Sequence, residues 1–302
     1  RCFDMNMSKS RDIQAKMPSP KVIYASNESK SVLARNLEEC RDNDKNSQSV
    51  FLSFKCILAR NCEGTEQLQN NTEKTEYSGE RGKHMSYAIA IDGPSGAGKS
   101  TIAKRVAKEL SFIYVDTGAM YRAMALYVLE QNIDPQDQAK VAAVCPDIDV
   151  TILYEDGVQQ VLLNGKNVSA EIRQEIVGNT ASKISVIKEV REKLVALQRQ
   201  LAAKENVVMD GRDIGTNVLP NADVKVYLTA SVECRAMRRF KELEGKGEAC
   251  DFEQIRQDIQ ERDERDMTRE IAPLKQAEDA TLIDSSEMGI DDVVKAIIAL
   301  KK

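Results

Sequence analysis

The chain has 302 residues, 42% of them hydrophobic and 30% charged, enough for one large domain with an appendage or for two domains. Its net charge of −5 is uneven: residues 1–84 hold 14 Lys+Arg against 12 Asp+Glu, which leaves −7 on residues 85–302 and argues against a nucleic-acid polymer as partner. No apolar run approaches the about 18 residues of a membrane span and no secretory signal pattern is present, while seven cysteines without a C-x-x-C pair fit a reducing cytoplasm better than a disulfide framework.

Residues 1–84 are rich in Asn, Ser, Lys and Glu, with a polar block from Glu63 to Lys83. Lys21 to Tyr24 and Val50 to Phe54 are the only strand-like pieces in this stretch, whose thin apolar content predicts a mostly disordered N-terminal extension or a foreign segment, with a small folded module as the competing reading. Position 1 is not Met, whereas Met85 looks like a natural start. Cys56 and Cys62 form a C-x5-C pair without the further ligands that structural zinc requires. The single histidine, His84, precedes the second region, so residues 85–302 contain no His-based triad and no His-rich metal site. Chemistry there must rest on carboxylates, Lys, Arg, hydroxyls and bound metal. Phosphoryl transfer manages with that set, because it depends on positioning and charge neutralisation.

From residue 85 onward, strands and helices alternate. Tyr87 to Ile91 is a short apolar run, read as a buried strand. Gly93-Pro94-Ser95-Gly96-Ala97-Gly98-Lys99-Ser100 then fits G-x-x-x-x-G-K-[ST], a loop that cradles nucleotide phosphates. Its glycines let backbone N–H groups turn inward. Lys99 suits the β and γ oxygens, the Ser100 hydroxyl suits Mg2+, and Thr101 closes the candidate ATP-binding set. The Lys99 side chain is expected to be partly exposed, serving charge and not packing. Ile102, Val106 and Leu110 recur every four residues and predict an amphipathic helix with its N-terminus at the phosphates.

Phe112 to Val115 predicts a second strand, ending at Asp116. Ile148 to Tyr154, Gln159 to Leu163 and the Asn164-Gly165 turn predict a small antiparallel unit, and Ala170 to Leu201 reads as largely helical. Together they form an insertion over about 147–201, placed to hold a second substrate. Asn206 to Met209 predicts a strand ending at Asp210-Gly211-Arg212-Asp213, and Val224 to Leu228 another. Thr281 to Ile283 predicts a fifth, ending at Asp284, and Ile290, Val293, Val294, Ile297 and Ile298 mark a closing helix. The pattern predicts an α/β domain with a five-stranded parallel sheet flanked by helices on both faces. Functional residues belong just past the strand C-termini, where Asp116, Asp210, Arg212 and Asp213 lie.

Asp116-Thr117-Gly118-Ala119-Met120-Tyr121-Arg122, Gly211 to Thr216, and Glu261 to Arg269 with Pro273-Leu274 after it closely resemble bacterial-type cytidylate kinase. The resemblance runs from about Met85 to the C-terminus, insertion included, and residues 1–84 have no counterpart in the basic family. It implies a P-loop NTPase of the nucleoside-monophosphate-kinase fold that moves the γ-phosphoryl group of ATP to CMP or dCMP with Mg2+. Some relatives are fused to pantoate ligase, but 84 residues are too few for that enzyme. Arg122, Arg212 and Arg269 resemble the arginines that hold the acceptor monophosphate, a task suited to a planar guanidinium fork. With Lys99, Arg212 and Arg269 form the catalytic set. Ser182, Arg191 and Asp213 resemble the residues that read cytosine, with Asp213 and Ser182 accepting from the 4-amino group and Arg191 donating to O2 and N3. Thr117 stands where a hydroxyl helps hold the nucleotide, and Arg262 and Asp266 resemble a ribose-contacting pair on one helix face. The resemblance also implies a lid over about 238–269, with Arg238-Arg239 near the donor nucleotide. The expected partners are ATP and CMP or dCMP, with no membrane, in a cytoplasmic monomer. Two other readings remain open: a kinase for another small acceptor such as shikimate, and a nucleotide-switch ATPase. A non-catalytic binding module is disfavoured by the intact Lys99, Ser100 and three arginines.

Overall fold

The computed structural model describes residues 22–24, 86–155 and 157–301. The strand-like piece at Val50 to Phe54, the Cys56/Cys62 pair and the expected disorder of the extension lie outside the described residues. The piece at Lys21 to Tyr24 does contain a strand, β1 (Val22–Tyr24).

The parallel sheet is built from β2 (Ala88–Asp92), β3 (Ile113–Asp116), β7 (Val207–Gly211), β8 (Val224–Thr229) and β9 (Thr281–Asp284). Their order is β3-β7-β2-β8-β9, and every pairing is parallel. β2 is buried along its whole length, and its two faces differ in residue size. Ile89 and Ile91 pack with Val208 against α1 (Lys99–Leu110) and α8 (Ile290–Ala299). Ala88 and Ala90 face the other way, with Val207 and Met209, toward α2 (Thr117–Glu130). Alternation of period two thus sorts bulky residues to one layer and small ones to the other. The small face leaves room for α2, whose eight buried residues leave it apolar nearly all round, as a fully packed central helix must be.

After the short helix α3 (Gln138–Val144) comes the antiparallel unit: β4 (Val150–Glu155), β5 (Val158–Leu163) and β6 (Lys166–Asn167), with β1 paired to the outer side of β4. Asn164 and Gly165 turn at φ 47° and 81°, the left-handed pair that a tight hairpin demands. Side chains fasten this sheet to the edge strand β3. The Tyr154 hydroxyl donates to the Tyr114 carbonyl at 3.0 Å, and Gln159 accepts from the Asp116 N–H at 2.8 Å. The insertion continues through α4 (Glu175–Ile184) and α5 (Lys188–Lys204), which complete the layer around α2. The segment read as a lid is a helical hairpin of α6 (Val232–Gly245) and α7 (Phe252–Thr268). The two helices meet through a small core of Ala236, Leu243, Ile255 and Ile259.

Candidate active site

A cleft of about 530 Å³ opens above the C-terminal ends of β2, β3 and β7. The phosphate loop forms one wall. Gly93 must be glycine: a Cβ there would lie 1.9 Å from the Leu228 carbonyl oxygen. Gly98, at φ 86°, turns the chain into α1, whose first residues Lys99, Ser100 and Thr101 line the cleft. Lys99 is 6% exposed, which corrects the expectation of a partly exposed side chain. The loop curls over it, and its ammonium donates to the Pro94 carbonyl at 2.6 Å. Burial, reinforced by the nearby Arg212 cation, pushes its pKa well below the ordinary lysine value, against the pull of Asp210 and Asp92.

Ser100 Oγ donates to Asp210 Oδ2 at 2.8 Å, and the Tyr114 hydroxyl donates to Asp210 Oδ1 at 2.9 Å. Burial pushes the Asp210 pKa up to about 6, with the neighbouring Asp116 adding repulsion. Thr117 lines the cleft, but its hydroxyl proton is committed to the Asp210 carbonyl at 2.7 Å, so toward a ligand it offers only lone pairs.

Arg122, Arg212 and Arg262 converge on the middle of the cleft. Arg212 Nε donates to Asp266 Oδ2 at 2.9 Å. Asp266 therefore pairs with Arg212 across the cleft and not with Arg262 on its own helix. Arg262 Nε is buried without a hydrogen-bond partner, and burial pushes this guanidinium down to about 10, with Arg212 adding repulsion. Arg122, on α2, makes no hydrogen bond or ion pair among the described residues, and burial lowers its pKa too. Two partly desolvated guanidiniums beside a third create a strong positive potential, which a doubly charged anion relieves.

At the far end, Asp213 is the meeting point. Its Oδ2 takes an ion pair from the buried Arg191 and a hydrogen bond from Asn217 at 3.0 Å, while its Oδ1 lies 3.4 Å from Arg269 Nη2. Arg269 Nε donates to the Ala272 carbonyl at 2.7 Å, and Ser182 lines the same end. All the residues read as acceptor-binding face this one cleft; of the phosphate loop, Gly93, Pro94 and Ala97 lie behind it.

A family model for cytidylate kinase matches residues 89–302. The chain belongs to the cytidylate kinase family. The cytidylate kinase of Caldicellulosiruptor bescii is 52% identical over 212 residues, 70% of this chain and 94% of that protein. That of Shouchella clausii is 49% identical over 216 residues, 72% of this chain and 96% of that protein. Among solved structures, a gluconokinase from Sinorhizobium meliloti 1021 superposes with a TM-score of 0.37 at 14% identity, covering 72% of this chain and 92% of that one. Residues 1–84 lie outside the family match.

Three residues of this cytidylate kinase site were not singled out by sequence as site residues. Asp210 was visible only as a strand-end carboxylate. Asp92, the last residue of β2, accepts from the N–H groups of Ile214 at 2.8 Å and Gly215 at 2.7 Å. It thereby pins the turn that presents Asp213 to the strand that leads into the phosphate loop. Its signal was available: an acidic residue directly ahead of the glycine motif. Arg235, in the first turn of α6, reaches the phosphate loop from the hairpin, and nothing local in its sequence marks it.

Proposed function

We propose that the chain transfers the γ-phosphoryl group of ATP to CMP or dCMP, giving ADP and CDP or dCDP. One observation carries this reading: a single cleft joins a phosphate loop to the Asp213–Arg191 pair, and it is also lined by Arg122 and Arg262, which make no side-chain hydrogen bond or ion pair among the described residues. ATP lies with its phosphates over Gly96, Gly98 and Lys99. The acceptor lies with its monophosphate among Arg122, Arg212 and Arg269, its ribose by Arg262 and Asp266, and its base by Ser182, Arg191 and Asp213. An oxygen of the acceptor phosphate attacks the γ-phosphorus as the bond to the β–γ bridging oxygen breaks. That oxygen is already ionised, so no general base is needed, in keeping with a site without histidine. Lys99, Arg212 and Arg269 offset the charge that spreads over the equatorial oxygens.

Mg2+ prefers hard oxygen ligands, and the Ser100 hydroxyl beside the Asp210 carboxylate is such a pair. When bound there, the ion screens the donor phosphates. No helix among the described residues is long and apolar enough to cross a membrane. The reading places the enzyme in the cytoplasm, as a monomer.

The test is ADP release measured with CMP, dCMP, UMP, AMP and shikimate as acceptors. Release should depend on CMP or dCMP. A rate independent of any acceptor would mark an ATPase, and faster turnover with shikimate or AMP would move the acceptor assignment elsewhere.

A further inference from the structure

Arg235 is 4% exposed, and a guanidinium buried so deeply must have its bonds accounted for. Nε donates to the Ala230 carbonyl, just past β8, at 2.9 Å. Nη1 donates to the Ser95 carbonyl, in the phosphate loop, at 3.0 Å, and lies 2.6 Å from Asp263 Oδ2 on α7. The stem of the same side chain packs on the loop, since a Cβ added to Gly96 would sit 3.2 Å from the Arg235 Cβ. Asp263 is 6% exposed, and its other oxygen is buried without a partner. Its direct ion pair among the described residues is to Arg235, with the Arg212 cation acting on it from farther off. One side chain thus joins the central sheet, the phosphate loop and the second helix of the hairpin.

The position of Asp263 gives this tie its consequence. It adjoins Arg262 and sits one turn from Asp266 on α7, the helix that leads directly to Arg269. The acceptor side of the cleft is thus linked through one buried ion pair to the carbonyl of a loop that wraps the donor phosphates. The other ties from this end of α7, Arg212–Asp266 and Arg269–Asp213, both run to acceptor-side residues.

We propose that the Arg235–Asp263 pair is a positioning strut that registers α7 on the phosphate loop, so that filling the donor site changes affinity at the acceptor site. This rests on the kinase reading above. A shift of the Ser95 carbonyl on phosphate binding draws Arg235 with it, and the buried carboxylate of Asp263 follows because its direct ion pair is to Arg235. Arg262 and Asp266 then move as part of the same helix. By linkage the effect is reciprocal: CMP alters affinity for ATP by the same factor.

The experiment is calorimetric titration of CMP into the full chain, with and without a saturating non-hydrolysable ATP analogue. In the wild type, the analogue should change the CMP Kd by at least about fivefold. In Asp263→Asn the change should shrink to about twofold or less, while the Kd without analogue stays within about threefold. Arg235→Lys should also lose the coupling, because one ammonium cannot reach Ser95 and Asp263 and also keep the bond that Nε makes to the Ala230 carbonyl, which ties the side chain to the sheet. If Asp263→Asn does not fold, the double variant Arg235→Met with Asp263→Leu replaces the pair with packed apolar groups and should bind CMP without coupling. Wild-type coupling near unity, or full coupling kept in a folded variant, would overturn the strut. A wild type that binds no CMP in either condition would instead overturn the kinase reading beneath it.

Discussion

Asp213 is surrounded by donors from three elements: Arg191 on α5, Asn217 in the turn after β7, and Arg269 after α7. A carboxylate placed among these donors accepts from cytosine's 4-amino group and opposes uracil's 4-carbonyl. A mismatch of buried polar groups costs about 1–3 kcal/mol, so Asp213→Ala should lower kcat/KM for CMP at least roughly tenfold more than for UMP. That variant also leaves Arg191 buried and unpaired, which weakens folding. Asp213→Asn is therefore the companion, since its amide keeps an acceptor for Arg191 while presenting a donor to uracil, and it should narrow the preference further. Equal losses for CMP and UMP in both variants would make Asp213 a folding residue. Asp92 carries a pH signature. Burial pushes its pKa from the ordinary 3.8 up to about 6, against the N–H bonds from Gly215 and Ile214 that lower it. The folded state holds this proton more tightly than the unfolded chain, so the contribution to stability is full below about pH 4 and is lost as pH rises through about 6. Asp92→Asn has no such dependence. Between pH 4 and 6.5 its stability should improve relative to wild type by up to about 3 kcal/mol, as read by urea denaturation. A constant difference across that window would contradict the assignment.

The hairpin of α6 and α7 is the most lightly anchored element around the cleft. Its core is Ala236, Leu243, Ile255 and Ile259, and the rest of α7 is almost entirely polar. What fastens α7 to the body is ionic or polar: Asp266 to Arg212 and Arg269, just beyond the helix, to Asp213, while Asp263 pairs with Arg235 of α6, which in turn bonds to the Ala230 and Ser95 carbonyls. Elements with few apolar contacts open locally at low cost. Ligand phosphates recruit the same arginines, so closure and binding share one set of charges. Hydrogen exchange across residues 252–269 is expected to slow by about tenfold or more when CMP and a non-hydrolysable ATP analogue are both present. The amides of β2 and β7 in the buried sheet should change far less. Unchanged exchange in α7 would refute its role as a lid.

At the scale of the whole molecule, residues 95–269 supply every residue lining the cleft, and all five parallel strands lie beyond residue 86. β1 pairs with the outer side of β4, away from β5, through which the insertion grips Asp116. A protein comprising residues 85–302 is therefore expected to keep turnover within about threefold of the full chain. A tenfold loss on purification and assay would show that residues 1–84 support the site.

Sequence alone determined what is local and periodic. The five strands, the phosphate loop, the closing helix and the Asn164-Gly165 turn are each set by a short run of residue types, and each lies within a residue or two of where it was read. The acceptor-side residues were named through motifs a few residues long, and they share one cleft. What tertiary structure decided is pairing across long separations. Ser100 meets Asp210 across 110 positions, and Asp92 meets Ile214 across 122. Helical spacing put Asp266 beside Arg262, yet Asp266 pairs with Arg212. The motif specifies the charge of Lys99 and so suggests a partly exposed side chain, while its burial comes from the loop carbonyl and the carboxylates that the fold brings round it. Thr117 likewise commits its O–H to the carbonyl of a strand that only folding sets beside it. The reason is physical: a buried charge takes the strongest partner within reach, and reach is measured through space and not along the chain.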